Sequence, residues 1–372
     1  MAFVRRKRVK GRIYFQLVEN IRENGRMKQK VIKHLGNEDS AKDYCKKHKI
    51  PFEIKEYEAK PTGYFSSLNQ ISEFITALRG RNEIPLKFEY LHDGANRWKT
   101  LVHSADYKLG ITETKLIKKY AEDCLGEVKR RINLIDLGCG TGEKAIIFLE
   151  KIKKQKRKYA TLDISEQMLK LAQSNILKKI LHLNSEFHRV DFEEGNFAHI
   201  TEALREKNYS HNLVLFLGNT LGNVSDMSRV LSNIRESLTL DDYLLIGIEL
   251  FDLERIQEIV GHYRGNKIWK DNIFTSLEFF GLRQSDGKFE VKFNRNKSQV
   301  EARFVINNDK EIACGSKKIA LKKGKKILLM ISYKTTPKNI QILLAETGFI
   351  IKRLFLNENE DYALVLCKPT IL

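Results

Sequence analysis

The sequence predicts an α/β protein with a doubly wound, mainly parallel seven-stranded sheet, an inserted β-rich lobe and a small basic β domain at the N-terminus. Residues 134–145, LIDLGCGTGEKA, join an apolar run to three alternating glycines and then to a helical pattern. A second apolar run, YATLDIS, ends in an acid. Residues 1–50 hold 15 Lys/Arg against 5 Asp/Glu, so about half of the net charge of +19 lies at one end.

The first 50 residues are predicted to form a basic three-stranded sheet. Asn24-Gly25 lies between alternating apolar segments, which is a strong hairpin signal, and Lys10-Gly11 predicts a second turn. This segment resembles the N-terminal segment of some transposases, through the pattern VKG, LVEN, RENG and QKVIK. One interpretation is a nucleic-acid surface with a stacking Tyr14 and phosphate contacts from Arg5, Arg6, Arg8, Arg12, Lys28 and Lys30. The alternative is a basic face that only keeps the domain in solution.

The next segment is predicted to be a connector that leads into a helix. PFEIKEYEAKPTG contains two prolines, and SSLNQISEFITALRG carries apolar residues at helical spacing before Gly80, where we expect the helix to end. We therefore assign residues 51–85 to a linker with one docking helix.

The glycine turn predicts a site for a nucleoside cofactor. Its pattern is GxGxG, with Asp136 two residues before Gly138, and not the GxGxxG of a dinucleotide site. Asp163 ends the second strand 21 residues after Gly142, where a carboxylate can accept both ribose hydroxyls. Missing side chains in the turn let a ligand approach the backbone. A glycine-rich turn without a ligand is the alternative.

Later apolar runs predict the rest of the sheet. NLVLF and YLLIGIEL are read as the fourth and fifth strands, and ILLMISYK and DYALVLC as strands that flank a helix near the C-terminus. The alternating runs KFEVKFN and QVEARFVI predict an inserted substrate lobe. The predicted divisions are 1–50, 51–85, a cofactor-binding core at 86–255, the lobe at 256–326, and final sheet strands at 327–372.

The motif DLGCGTGEK, followed by LDIS and VDF, resembles the Rossmann-like seven-stranded methyltransferases that depend on S-adenosylmethionine. That resemblance implies that Asp136 and the turn Gly138, Gly140 and Gly142 hold the methionine end of the cofactor, and that Asp163 holds its ribose. With FLGNTLGN, FNRNKSQVEARF and ISYK, residues 86–370 resemble the histidine-specific Nα-methyltransferase family. The closer resemblance implies cofactor contacts from Gly138, Lys144, Asp163, Asp191 and Phe192.

The family resemblance also implies a substrate site for an amino acid. It places Asn223, Tyr107, Tyr263 and Ser332 against the substrate. The family's histidine methylators carry a glutamate two residues before that serine to bind the imidazole, whereas this chain has Met330. An unpaired imidazole N–H in a closed pocket costs about 1–3 kcal/mol. Histidine is therefore not the expected substrate, and a more apolar amine is.

The predicted reaction is methyl transfer from a sulfonium to an amine. The protein must chiefly orient and desolvate the nucleophile, and Tyr107 or Tyr263 either only hydrogen-bonds or accepts a proton through water. Two alternatives stay open: an RNA- or protein-directed methyltransferase targeted by residues 1–50, and a scaffold that binds cofactor without turnover. The loop LGNTLGN lacks the Asn/Asp-Pro-Pro-Tyr run of enzymes that methylate base amines.

The composition argues against a membrane-spanning, secreted, disulfide-bonded or metal-binding protein. No apolar run reaches the 18 or so residues of a bilayer span, and the first residues lack the apolar core of a signal peptide. Five scattered cysteines and histidines without ligand spacing predict neither disulfides nor a metal site. We expect a cytoplasmic enzyme without a membrane partner.

Overall fold

The structure is a computed structural model that describes residues 2–9, 12–23, 26–48, 50, 63–128, 132–152, 158–205, 211–251, 255–315 and 317–371. The chain divides into two compact units. The first comprises residues 1–66 with 313–318, and the second comprises residues 67–312 with 319–372. The predicted divisions at 50, 85, 255 and 326 stay predictions.

The first unit contains the predicted three-stranded sheet. Its elements are β1 (Ala2–Val9), β2 (Arg12–Glu23), β3 (Arg26–Gly36) and helix α1 (Glu38–Lys47). The strands pair antiparallel in the order β1-β2-β3. A small core joins sheet and helix through Val4, Phe15, Leu17, Leu35, Ala41 and Cys45. The helix was not predicted; its start is capped by Asn37 Oδ1, which accepts the Ser40 N–H at 2.9 Å.

Most of the predicted nucleic-acid surface lies outside what the structure describes. Both predicted turns, Lys10-Gly11 and Asn24-Gly25, fall outside the described residues. Of the basic side chains in the prediction, that of Lys30 is described, and it is exposed. The structure therefore supports the sheet and leaves its binding role a prediction.

The described residues after α1 contain eleven further α-helices and twelve further strands, all within the second unit except the parts of two strands that fall in residues 313–318. The helices are α2 (Leu68–Thr76), α3 (Gly94–Val102), α4 (Lys108–Val128), α5 (Glu143–Lys151), α6 (Glu166–Lys179), α7 (Ala198–Leu204), α8 (Met227–Glu236), α9 (Ile256–Gly265), α10 (Lys267–Ile273), α11 (Thr275–Phe279) and α12 (Pro337–Glu346). The strands are β4 (Ile132–Leu137), β5 (Lys158–Asp163), β6 (Asn184–Arg189), β7 (His211–Phe216), β8 (Tyr243–Glu249), β9 (Gly287–Asn294), β10 (Gln299–Ile306), β11 (Lys310–Cys314), β12 (Lys317–Leu321), β13 (Lys326–Tyr333), β14 (Phe349–Leu356) and β15 (Tyr362–Pro369).

Seven of these strands form the predicted mixed sheet. Their order is β14-β15-β8-β7-β4-β5-β6, with β15 antiparallel to both of its neighbours and the other pairs parallel. Every residue of β4 and β7 is buried, as continuous apolar runs predict for central parallel strands. Two apolar clusters cover the sheet, one including Ile135 and Phe216 and the other including Leu134 and Phe148.

The strand ILLMISYK belongs to the inserted lobe, and the prediction that it completes the core sheet is wrong. As β13 it pairs antiparallel with β10, which also pairs with β9. The unpredicted strand β14 takes the sheet position instead. Strands β11 and β12 form a separate two-stranded hairpin.

The insertion leaves and re-enters the core at one point. Phe251 N–H donates to Thr335 O at 2.8 Å, and Leu250 forms a bridge with Thr335. Strand β8 ends at Glu249, and β13 ends at Tyr333, so the two chain segments meet directly beside both sheets.

The helix predicted to end at Gly80 continues slightly further. After α2 the chain makes a π-helical turn over Ala77–Arg81, and Asn82 ends it in the left-handed conformation with φ of 52°. A short 3-10 helix, Leu86–Tyr90, follows. None of the helices in the described part of the chain has the length and apolar character needed to cross a bilayer.

Candidate functional site

The glycine turn after β4 has the backbone geometry that glycine alone adopts easily. Gly138, Gly140 and Gly142 have φ values of 68°, 53° and 74°. A Cβ on Gly140 would lie 3.1 Å from the Trp98 indole nitrogen, and one on Gly138 would contact Phe192 and Thr220. The first two glycines therefore keep the space between the turn and these side chains open.

Gly142 lies close against a neighbouring helix. A Cβ there would lie 2.8 Å from Ile176 Cδ1 and 3.2 Å from the Ala172 backbone on α6. This glycine lets α5 begin close against α6. Both of its chain neighbours, Thr141 and Glu143, line the cavity described below, and contact of Gly142 itself with the cofactor stays a prediction.

Two buried carboxylates end the first two core strands. Tyr159 donates its hydroxyl to Asp136 Oδ2 at 3.1 Å, and burial raises the pKa of Asp136 to about 7. Asp163 Oδ1 accepts the Ser165 N–H at 2.8 Å, and burial raises its pKa to about 6. Both side chains can accept hydrogen bonds from a polar ligand at the strand ends.

Lys144 is held by a buried acid that the sequence did not reveal. Its Nζ forms an ion pair with Glu113 Oε2, and Glu113, on α4, is fully buried. The other oxygen, Oε1, accepts the Gly218 N–H at 2.7 Å. One carboxylate thereby fixes a cation from α5 and the loop after β7.

These groups surround a cavity of about 180 Å³. Eight predicted site residues line it: Tyr107, Asp136, Gly138, Gly140, Lys144, Asp163, Phe192 and Asn223. Apolar walls come from Leu86, Val102, Ile164, Met168, Leu217 and Val224. This lining suits a nucleoside that carries an amino acid. The acids at the strand ends can accept hydrogen bonds from hydroxyls, the cation can pair with a carboxylate, and the apolar walls can pack against a flat base.

Asp191 is not among the described wall residues of this cavity. Lys87 Nζ lies 2.8 Å from Asp191 Oδ2 and 2.9 Å from Glu73 Oε1. Glu73, Asp191 and Glu194 are the acids in the described chain that approach one another closely enough to hold a metal ion. Lys87 already neutralises part of this group, so nothing here indicates a metal site.

A second cavity of about 430 Å³ adjoins the first. The two share five wall residues, namely Leu86, Tyr90, Trp98, Tyr107 and Asn223. Trp98 meets Tyr90 and Tyr107 edge to face, with ring centroids 5.4 and 5.6 Å away. Aromatic faces attract cations, so this junction suits a sulfonium methyl group and an amine.

One polar cluster at the second cavity is centred on Glu249 and Lys334. Lys334 Nζ forms an ion pair with Glu249 and lies 3.0 Å from Ser332 Oγ. Asn219 contacts Ser332 at 3.4 Å and accepts the Glu249 N–H at 3.0 Å. Lys334 Nζ lies over the Tyr263 ring, 5.7 Å from the ring centroid. Predicted Tyr263 and Ser332 thus share one network, and Tyr263 and Glu249 line the cavity.

The remaining wall is mixed. Its apolar side chains are Leu101, Leu109, Ile259, Trp269, Ile273 and Met330, and its polar side chains include Lys108, His262, Asn266 and Asn272. Met330, which the sequence predicts beside the substrate, lines this second cavity. Arg255, Glu258 and Asp361 form a charged group on the same wall, joined by two ion pairs.

Apart from Tyr107, the sequence missed the residues before the first core strand that shape the two cavities. Tyr90 and Trp98 lie on the 3-10 helix and α3, and Glu113 on α4, before the first core strand. One signal was available: the chain has two tryptophans, and both Trp98 and Trp269 line the second cavity.

The geometry is that of an α/β fold with one cavity at the carboxyl ends of its parallel strands and a second cavity beside it. Residues 70–369 match the sequence profile of the family described as histidine-specific methyltransferase, SAM-dependent. The chain belongs to this family and is an S-adenosylmethionine-dependent methyltransferase. Residues 3–59 match the profile of the N-terminal domain of IS1634 family transposases.

Two curated relatives are N-methyltransferases from fungi. The 4-dimethylallyltryptophan N-methyltransferase easF of Epichloe festucae var. lolii is 26% identical over 41% of this chain and 45% of its own length. The chain thus spans less than half of that relative. The N-methyltransferase dtpB of Aspergillus flavus is 23% identical over 76% of this chain and 84% of its own.

Solved methyltransferases also resemble the chain. Magnesium protoporphyrin IX methyltransferase from Synechocystis with bound SAH has 12% identity and a TM-score of 0.42, with 76% of this chain and 96% of that chain covered.

Proposed function

We propose that this enzyme N-methylates the amino group of an amino-acid-like small molecule with a large apolar or aromatic side chain. The observation that carries the proposal is the second cavity, which meets the cofactor cavity at Tyr90, Trp98 and Tyr107. The fungal relatives that are named as N-methyltransferases support an amine acceptor.

The polar cluster suits the amino-acid end of the substrate. Glu249 offers a carboxylate to an ammonium group, and Asn223 and Tyr263 offer neutral hydrogen-bonding groups to a carboxylate. Met330, Trp269 and Ile273 offer contact with an apolar side chain and no acceptor for an imidazole N–H. This division of the wall is why we propose an apolar side chain and exclude free histidine as the preferred substrate.

The tyrosines position the substrate and do not act as bases. Burial raises the pKa of Tyr107 well above its usual value and also raises the pKa of Tyr263. Both phenols therefore stay protonated near neutral pH and donate hydrogen bonds. Bound S-adenosylmethionine supplies an already activated methyl group, so alignment and exclusion of water are what these side chains contribute.

Asp136, Gly138, Gly140, Lys144, Asp163 and Phe192 would hold the cofactor. We assign the ribose hydroxyls to Asp163, at the end of the second core strand, and the cofactor's carboxylate to Lys144. The other lysine of the wall, Lys87, already pairs with Glu73 and Asp191. The direct test incubates the protein with labelled cofactor and a panel of tryptophan, a prenylated tryptophan, phenylalanine, histidine and their N-acetyl forms. Label in the free aromatic amines and not in the N-acetyl forms supports the proposal; label in histidine alone contradicts it.

A second candidate function is favoured by the first unit. Its match to a transposase N-terminal domain and its local excess of basic residues support binding of a nucleic acid. In this case the substrate would be an RNA or a protein bound to one. The exposed side chains Lys30 and Lys33 are suitable for a test in the full chain.

The test measures RNA binding at several salt concentrations. If Lys30→Gln with Lys33→Gln weakens binding and lowers the salt dependence by up to about two ion equivalents, the basic unit contacts phosphates. Lys178→Gln with Lys179→Gln, at the end of α6, is the matched control. Unchanged binding in both double variants argues against this candidate.

The free thiols of all five cysteines support our proposal of a reducing cytoplasmic location.

A further inference from the structure

Helix α10 contributes both polar and apolar side chains to the wall of the second cavity. Asn266, Trp269, Asn272 and Ile273 all line it. Asn266 Oδ1 accepts the Trp269 N–H at 2.9 Å and caps the start of the helix. Asn272, about one turn after Trp269, is only 2% exposed. A polar side chain buried this deeply needs a hydrogen-bonding partner.

The side-chain amide of Asn272 has a partner at one of its two ends. Its Nδ2 donates to Gly94 O on α3 at 3.4 Å. Its Oδ1 has no hydrogen bond among the described residues, and it is not one of the unpaired polar atoms that the described part of the protein encloses completely. The amide oxygen is therefore an acceptor that is available to a molecule in the cavity.

The contact with α3 places this acceptor near the junction of the two cavities. Gly94 and Trp98 are four residues apart on α3, and residues at this spacing are neighbours on one helix face, about 5–6 Å apart. Trp98 lines both cavities. Asn272 therefore lies on the order of one helical turn from the Trp98 backbone. An amino acid whose ring is attached through one methylene can extend from the junction to this acceptor.

We propose that Asn272 Oδ1 accepts a hydrogen bond from an N–H at the edge of the substrate's aromatic ring, so that the preferred substrate carries an indole-type side chain. This inference rests on the proposed function and narrows its substrate class. Trp269 and Ile273 give the apolar part of the ring its contacts.

The same acceptor discriminates against histidine. An imidazole carries polar nitrogens at two edges, and Asn272 serves one of them. Met330, in the same wall, offers no partner to the other nitrogen. An indole carries a single N–H, so one acceptor in a partly apolar wall is sufficient for it.

The test compares tryptophan with 3-benzothienylalanine, in which a sulfur atom replaces the ring N–H and the shape of the ring is kept. The measured quantity is kcat/KM for transfer of label from the cofactor to each amine. We expect the unsubstituted protein to prefer tryptophan by roughly tenfold or more, because the analogue leaves a buried acceptor unpaired.

The deciding variant is Asn272→Leu, which has a similar volume and no acceptor. Its two kcat/KM values should become about equal. Because the preference is a ratio within one sample, partial unfolding of the variant would not lower it. Asn96→Leu, at an exposed position of α3, is the control and should keep the preference for tryptophan.

The outcomes separate this inference from the function on which it rests. Equal kcat/KM values in the unsubstituted protein, or an undiminished preference in Asn272→Leu, overturn the inference. Label in phenylalanine and in neither of the two compounds also overturns it and leaves the proposed function standing. Label in none of the three amino acids contradicts the proposed function as well.

Discussion

Glu113 and Lys144 form an ion pair at the wall of the cofactor cavity, although they lie on different helices and 31 positions apart. Glu113 lies against β8 at Gly247. A Cβ atom added to Gly247 would lie 2.0 Å from Glu113 Oε1. The absence of a side chain at Gly247 therefore allows a helix outside the sheet to orient a cation inside the site.

Glu113→Gln should weaken cofactor binding. The amide oxygen can still accept the Gly218 N–H, but the ion pair that orients Lys144 is lost. We expect the dissociation constant of S-adenosylhomocysteine to rise roughly tenfold, in line with about 1.4 kcal/mol. Calorimetry measures it. Glu122→Gln removes an exposed ion pair between the same two helices and should leave the affinity unchanged.

Met330→Glu should shift the substrate preference toward histidine. A carboxylate at this wall position can accept an imidazole N–H, and it places a charge against apolar side chains. We expect the ratio of kcat/KM for histidine over tryptophan to rise by about tenfold or more. Met330→Leu keeps the wall apolar and should not move the ratio. An unchanged ratio in Met330→Glu would mean that the substrate's side chain lies elsewhere.

Lys334→Met should destabilise the protein strongly. It removes the cation from Glu249 and leaves a half-buried carboxylate without its ion partner. Breaking such a pair from one side costs about 3–5 kcal/mol. Chemical denaturation should show this loss, and Lys334→Met combined with Glu249→Met should recover much of it. Lys368→Met, which loses a 4.0 Å contact with the exposed Asp241 and a contact with the Tyr243 ring, is the matched control.

Glu89 should make stability fall with rising pH. Burial raises its pKa from 4.5 to about 8, although Ser276 donates to it from its N–H and its hydroxyl. The folded protein therefore keeps a proton that the unfolded chain releases above pH 4.5. This contribution to the free energy of unfolding is complete below pH 4.5 and is lost as the pH rises toward 8.

Glu89→Gln should remove that part of the pH dependence. Denaturation curves over this interval should show a flatter decline, by up to about 5 kcal/mol, since the pKa rises from 4.5 to about 8 and each pKa unit corresponds to about 1.4 kcal/mol. Glu150→Gln changes an exposed acid and should keep the original slope. Equal slopes for Glu89→Gln and the unsubstituted protein would show that Glu89 is charged in the fold.

The sequence predicted the cofactor turn because its signals are local. An apolar strand, positive-φ glycines and a helix start lie within about a dozen residues, and Asp163 follows at the end of the next strand. By contrast, Trp98 and Glu113 reach the cavity through long-range contacts, for which sequence spacing gives no pattern.

The strand ILLMISYK shows a second limit of local patterns. Its apolar character suits either sheet, so only its partner determines the assignment. Pairing of Ala302 with Met330 and of Gln299 with Tyr333 assigns it to the lobe. The number of strands in the core sheet was predicted correctly. The identity of the strand at its edge, β14, was not predicted.

The hydrogen bond between Phe251 and Thr335 makes the lobe a cassette with adjacent ends. A replacement segment of different length could be spliced in there without altering the spacing of the core on either side. Relatives could thus diversify the molecules they modify by exchanging this module, while the machinery that supplies the methyl group is inherited unchanged.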